Sequence, residues 1–431
     1  MRRLVWNDLD AGGRREALAR PARRDDAELQ ARVRSIVDEV RNRGWEAVCE
    51  LAFGIDGEEP REIEVAPIAA KARLRVPSEQ VEAIEFAAGR IRVFHEASRP
   101  SDFSMETAPG LTVTKAWRPI DRVGLYVPGG RTPLFSSLLM LAIPAKAAGV
   151  REITAVTPPR PDGGLDYLIA LAAELAGVDR IWTIGGAQAI AAMAFGAGGI
   201  PQVDKVCGPG NAWVAEAKRL VASMPGGPAI DMPAGPSELL VIADDEADPK
   251  LVAADLLSQA EHDADAQVLL VTPSAGLAGR VQAAVAEQLA SLPRREIAAT
   301  SLEEARVIVV ADLNEAIDVA NAYAPEHLSL ATDRPEDLIP AIRNAGAVFA
   351  GPLAAETFGD YLAGSSHVLP TDGAARAWGG VSVYTFLKAM SVQSVTPEAA
   401  RRIARPAAVL ARMEALEGHA RAADARLEAL A

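Results

Sequence analysis

From residue 123 onward, short apolar runs rich in Val and Ile alternate with longer stretches whose apolar positions recur at helical spacing. "VGLYVPGG", "ITAVTPP", "IWTIGG" and "KVCGPG" predict strands, while "AQAIAAMAFG" and "NAWVAEAKRLVA" predict the helices that follow two of them. The alternation predicts an α/β protein with open parallel sheets covered by helices, because parallel neighbours need a crossover long enough to form a helix. It breaks at "SMPGGPAIDMPAGPSE", Ser223 to Glu238, where Gly and Pro are too dense to continue either element, so this stretch predicts a crossing between lobes. The pattern then restarts with "LLVIADD", "VLLVTP", "VIVVAD", "LSLAT" and "AVFAGP". Two lobes of similar architecture are expected, without a residue-level repeat behind them. Residues 1–120 read as mostly helical and charged, and the Ala- and Arg-rich tail after about residue 380 reads as helical too.

The composition narrows the function more than the fold. The 431 residues carry a net charge of −14 with no basic block, which argues against a grip on nucleic acid. Only Cys49 and Cys207 are present, so a disulfide framework is excluded and a reducing compartment is expected. The start, "MRRLVWNDLDAGGRR", lacks a signal-peptide core, and Gly, Pro or charge interrupts every long apolar run. A cytoplasmic protein without a membrane partner is expected.

The five histidines, at 95, 262, 327, 367 and 419, concentrate the candidate chemistry. In "DLLSQAEHDADAQ" an apolar helical stripe ends in Gln259 and His262, which at i, i+3 offer an amide oxygen and an imidazole, half of a divalent-metal site. A further imidazole and a carboxylate would complete a set suited to zinc, with manganese or cobalt as substitutes. The alternative is a buried Gln and His satisfied by backbone groups. In "APEHLSLAT", Pro325 ends a helix and leaves Glu326 and His327 on the connection into a strand, two proton acceptors side by side. "GDYLAGSSHVLPT" puts Asp360 and His367 on the connection after the last strand. In "MEALEGHA", Glu414 and His419 would lie about 140° apart on an unbroken helix. Either Gly418 ends that helix and re-aims His419, or the tail is a solvated helix. His95 reads as a surface or helix-end histidine.

The first lobe has no GxGxxG fingerprint, yet "IGGAQA" and "CGPGNAW" both run from strand to helix, where free N–H groups favour a phosphate. Gln188 and Asn211 supply amides nearby. Cys207 beside the second turn has no evident base, so packing is its expected role.

Taken together, "GLYVPGG", "SSLLMLAIPAKAAG", "GGAQAIAA", "CGPGNA", "IDMPAGPSE", "DLLSQAEH", "APEHL" and "GDYLAGSSHVLPT" resemble the histidinol dehydrogenase family from about residue 20 to the tail. The resemblance implies two Rossmann-like lobes in an intertwined homodimer, one zinc per subunit, and NAD-dependent oxidation of L-histidinol through an aldehyde to L-histidine, the last step of histidine biosynthesis. It implies Gln259, His262, Asp360 and His419 as zinc ligands. His327 would take the alcohol proton and Glu326 would activate the water that hydrates the aldehyde. Ser237, His367 and Glu414 would touch substrate together with His327 and the ligand set, and Tyr126, Gln188 and Asn211 would touch NAD. The expected organisation is an arm at 1–20, a metal and proton-transfer lobe from 21–120 with 237–380, an NAD lobe at 121–236, and a tail at 381–431 reaching a second subunit. A dehydrogenase of another amino alcohol or polyol, a zinc hydrolase and a noncatalytic binding protein are the competing readings. One tension stands out: Glu326 and His327 precede their strand, whereas sites on parallel sheets gather at carboxyl ends.

Overall fold

A computed structural model describes residues 1–20, 27–129, 133–233 and 235–430. Gly130 of "GLYVPGG" and Ala234 of "IDMPAGPSE" lie outside the described residues. The chain divides into two compact units, Met1–Ser98 with Asp121–Phe386 and Arg99–Ile120 with Leu387–Ala431.

The first unit holds two six-stranded sheets. In one, Arg122–Tyr126 is flanked by Glu152–Thr157, beyond which lies Arg180–Thr183, and on its other side by Lys205–Cys207 and Ala229–Ile230, all parallel. In the other, Glu238–Ala243 is flanked by Gln267–Thr272 and then Arg306–Val309, and on its other side by His327–Ala331 and Ala347–Ala350, again all parallel. The two sheets therefore share one strand order, and each reverses direction of growth beside its first core strand. Glu238–Ala243, Gln267–Thr272 and His327–Ala331 are buried along their whole length, as strands covered on both faces must be. The predicted core strands of both lobes are all present.

The flanks depart from expectation. Arg2–Val5 is not a free arm: it adds a parallel edge strand beside Arg306–Val309. Helix Ala27–Arg43 packs on the 121–236 lobe. Val33, Val37 and Val40 line one face of Ala27–Arg43 and enter a single core with Ala189–Ala192, Val214 and Val221 of the other lobe. Each such burial contributes about 1.5–3 kcal/mol. Glu62–Glu64 pairs antiparallel with Arg180–Thr183 of the same lobe. The Ser223–Glu238 crossing also contains the last strand of the first sheet, Ala229–Ile230.

In the second unit, Phe103–Ala108, Leu111–Pro119 and Leu387–Val395 form an antiparallel sheet, so neither the end of the first 120 residues nor the tail is wholly helical. Gly110, at φ +79°, turns the hairpin, as its freedom at positive φ allows. The strands are largely exposed and carry no continuous apolar run, which is why the pattern conceals them. Helices Pro397–Met413 and Glu417–Ala429 pack against each other.

Candidate functional site

In the second sheet the singled-out residues gather at strand amino ends, on the two strands beside the reversal. Ser237 directly precedes Glu238–Ala243, and His327 is the first residue of its strand with Glu326 just before it. Leu313–Tyr323 ends at Ala324, which sits at φ +56°, before Pro325 turns the chain into that strand. Helix Pro249–Ala260, capped by Asp248, runs back toward the same end and carries Gln259 in its last turn. His262 is one residue past the cap rather than on the helix, its N–H bonded to the Gln259 carbonyl at 3.1 Å. Asp360 lies on the short helix Glu356–Tyr361, not on an irregular loop, and that helix packs against Pro249–Ala260.

Three imidazoles share one arrangement. His327 Nδ1 lies 3.1 Å from the Glu238 carbonyl, His262 Nδ1 lies 2.8 Å from the Ser258 carbonyl, and His367 Nδ1 lies 3.0 Å from the Asp360 carbonyl. A carbonyl only accepts, so each Nδ1 donates, and in the neutral ring Nε2 keeps the lone pair. His367 Nε2 then accepts from Ser137 Oγ at 3.0 Å, a tie to helix Phe135–Ala148 of the other lobe. His327 Nε2 is buried without a hydrogen-bond partner among the described residues and lies 3.6 Å from Asp360 Oδ1.

Carboxylates crowd this imidazole. Glu326 Oε2 and Glu356 Oε1 each approach His327 Nδ1 at 3.6 Å, and Glu326 Oε2 accepts from the Glu238 N–H at 2.8 Å. Burial pushes the Glu326 carboxyl up to about 7 and Glu356 up to about 8. Burial alone would lower His327, but Glu326, Asp360 and Glu356 outweigh it and raise the imidazole to about 10. Burial likewise opposes ionisation of Asp360, and His327 reverses the outcome to hold that carboxyl low.

The donors fit a divalent cation. Gln259 is wholly buried, and neither atom of its amide finds a hydrogen-bond partner among the described residues, a costly state that a cation on the oxygen would relieve. His262 keeps its Nε2 lone pair free of that backbone bond. His327, Glu356 and Asp360 also place potential ligand atoms within 4.8 Å of one another. Glu356 and the supporting Glu238 were missed in the sequence; Glu356 stands four residues before Asp360 on one helix face, a signal visible only once that helix is known.

The first sheet presents the opposite ends. Tyr126 closes its strand, and its hydroxyl accepts from the Gly186 N–H at 3.2 Å, at the start of helix Gly186–Phe195. Gln188 in that first turn is wholly buried with both amide atoms unpartnered among the described residues. Across the reversal, Gly208 adopts φ +127°, where a Cβ would collide with the Tyr126 carbonyl, so only glycine lets the two strand ends meet. Beneath this turn Lys218 Nζ donates to the Gly208 carbonyl at 2.8 Å and to Asp231 at 2.5 Å, while Asp231 accepts from the Gly208 N–H at 2.7 Å. Asn211 caps helix Ala212–Ser223, its side-chain oxygen accepting from Trp213 and Val214 at 3.1 Å, which leaves its amide nitrogen outward. Cys207 is wholly buried, and burial pushes its thiol far up, as a packing role requires.

Glu414 and His419 belong to the other compact unit and are exposed. Gly418 does not end their helix: the break falls at Ala415, at φ +59°, and Gly418 sits in the first turn of the next helix. His95 is at a helix end as expected but is not on the surface; it is buried, and burial pushes it down to about 4.

A pair of parallel-sheet lobes, one offering helix amino termini and the other an imidazole–carboxylate cluster, defines an α/β fold with proton acceptors beside a candidate cation site. Comparison with known proteins sharpens that class. The family model described as histidinol dehydrogenase matches residues 19–427. Histidinol dehydrogenase of Xylella fastidiosa (strain 9a5c) is 47% identical over 429 residues, 99% of each chain, and that of Campylobacter jejuni (strain RM1221) is 44% identical over the full length of both. The crystal structure of histidinol dehydrogenase from Elizabethkingia anophelis superposes with a TM-score of 0.95 at 39% identity, covering 100% of this chain and 98% of that one. The chain belongs to the histidinol dehydrogenase family.

Proposed function

We propose that the chain oxidises L-histidinol through L-histidinaldehyde to L-histidine with two equivalents of NAD, the last step of histidine biosynthesis. The observation that carries this reading is the pair of buried proton acceptors, Glu326 and His327, both held by the backbone of Glu238, with His327 Nε2 3.6 Å from Asp360 Oδ1. Zinc, one per subunit, would supply Lewis acidity and grip the substrate's nitrogens, and NAD would accept the hydride. His327 Nε2 takes the alcohol proton in the first oxidation. Positive charge beside Asp360 works against the carboxylates that raise this imidazole and so favours its neutral, basic form. Glu326 takes a proton from the water that adds to the aldehyde; its elevated pKa suits a base working near neutrality. Ser237 and His367 flank the substrate, and Tyr126, Gln188 and Asn211 contact NAD.

Both lobes are read as Rossmann-like, with the cofactor at the strand reversal of the first sheet. Glu414 and His419 complete the site from a second copy, with His419 as fourth ligand. Exposed Phe103, Met390, Leu410 and Met413 in the unit that carries them support a homodimer whose tails exchange. A cytoplasmic location accords with two unpaired cysteines, and no described helix is long and apolar enough to cross a membrane. Zinc-loaded protein given L-histidinol and NAD should release two NADH per histidine formed; absence of NADH from folded, metal-loaded protein refutes the reading.

A further inference from the structure

We infer that Arg20 and Glu238 are positioning residues that hold both proton-transfer groups in working geometry, an inference that rests on the proposed roles of Glu326 and His327. Glu238 opens the core strand of the second sheet and is buried to 1% exposure. Its backbone serves both groups at once: the N–H donates to Glu326 Oε2 at 2.8 Å and the carbonyl accepts from His327 Nδ1 at 3.1 Å. The two peptide groups flanking this one Cα aim one Glu326 oxygen and fix the His327 tautomer with its lone pair on Nε2.

The side chain of Glu238 is itself anchored. Its carboxylate accepts from Arg20 Nε, from Arg20 Nη2 at 2.8 Å and from the Asp372 N–H at 2.9 Å. Arg20 reaches further: Nη2 also donates to the carbonyls of Tyr323 at 3.0 Å and Ala324 at 3.3 Å, and the guanidinium lies 4.0 Å over the Tyr323 ring. Tyr323 and Ala324 lead directly into Pro325 and Glu326, and Asp372 follows His367 by five residues. One planar fork thus ties together the starts of both strands beside the reversal and the loop bearing His367.

A purely structural role would not need this chemistry. Burying an ion pair costs desolvation, and packed apolar groups commonly match it for stability. Apolar groups could not hold a bidentate carboxylate and two carbonyls in fixed orientation, which is what Arg provides and Lys does not.

The test uses full-length, zinc-loaded protein with Glu238→Gln, Arg20→Lys and Arg20→Ala. Oxidation of L-histidinol and of supplied L-histidinaldehyde is followed, alongside zinc content, KM for NAD and the ¹⁵N shifts of His327. We expect kcat for both oxidations to fall about 10- to 100-fold. Zinc content and KM for NAD should stay near wild type, Arg20→Lys should retain more activity than Arg20→Ala, and the His327 shifts should move toward mixed tautomers in Glu238→Gln. The inference is overturned if the folded variants keep wild-type kcat and tautomer, or if kcat and zinc content fall and KM for NAD rises together in step with lost stability. Should Glu238→Gln fail to fold, Arg20→Lys still decides by the same readings. A wild-type protein that makes no NADH instead refutes the proposed function, and the His327 shifts still report whether Glu238 sets the tautomer.

Discussion

The two sheets of the larger unit share a strand order, yet their candidate site residues lie at opposite strand ends. In the first, Tyr126, the Gly186 turn and the Gly208 turn lie at strand carboxyl ends, where helices begin. In the second, Ser237, Glu326, His327 and Gln259 lie at strand amino ends, where helix Pro249–Ala260 finishes and carbonyls face outward. Helix amino termini carry partial positive charge and suit phosphate, whereas helix carboxyl termini carry partial negative charge and suit a cation. Backbone carbonyls also set the three imidazoles, each accepting an Nδ1–H, which leaves Nε2 open on His262 and His327 and turned to Ser137 on His367. On the proposed function, one topology makes an anion site or a cation site according to which end it presents.

That contrast breaks first at the amino ends. His327→Ala should lower kcat for the alcohol step by about 10²- to 10⁴-fold, whereas Glu326→Ala should spare that step and harm oxidation of supplied aldehyde. Stopped-flow NADH traces with each substrate check this, and equal damage to both steps in both variants would merge the two roles. Next, Asp360→Asn or Gln259→Ala should weaken zinc about 10- to 100-fold without changing NAD affinity, as read by metal titration and calorimetry. A parallel loss of NAD affinity would show that the two ends are not separable.

At the carboxyl ends, Gly208→Ala forces a Cβ onto the Tyr126 carbonyl. It should raise KM for NAD by about 10-fold, the equivalent of roughly 1.4 kcal/mol of strain, with zinc content unchanged. The smallest effect belongs to His95, outside both ends. Its folded pKa of about 4 lies below its ordinary 6.5, so between these values the unfolded chain binds the extra proton. The stability this group confers is therefore complete above pH 6.5 and is lost as pH falls toward 4. His95→Leu should shrink the difference in urea midpoint between pH 7 and pH 5 while leaving kcat intact; an unchanged difference would place the titration elsewhere.

Much of this was legible in the residues. The buried strands announced themselves because covering both faces leaves continuous Val, Leu and Ile runs, and Gly-bearing turns marked the first sheet's ligand ends. Glu326 and His327 stood out because Pro325 stops a helix beside two proton acceptors. The sheet of Phe103–Ala108, Leu111–Pro119 and Leu387–Val395 did not, since exposed strands need no apolar continuity and their pairing spans distant sequence. The packing of Ala27–Arg43 was equally hidden, because an amphipathic stripe such as Val33, Val37 and Val40 says that it is buried but not against which lobe. Glu356 and Glu238 were concealed for a related reason: a carboxylate looks solvated in sequence until the fold removes its water.

The most direct test of the central claim is a crystal soaked in zinc and NAD, with the metal located by anomalous scattering at its absorption edge. The account predicts the metal bound to Gln259, His262 and Asp360 at the amino ends of the second sheet, and the pyrophosphate against the Gly186 and Gly208 turns of the first. Zinc settled among Glu326, His327 and Glu356 away from Gln259, or NAD bound at strand amino ends, would contradict it.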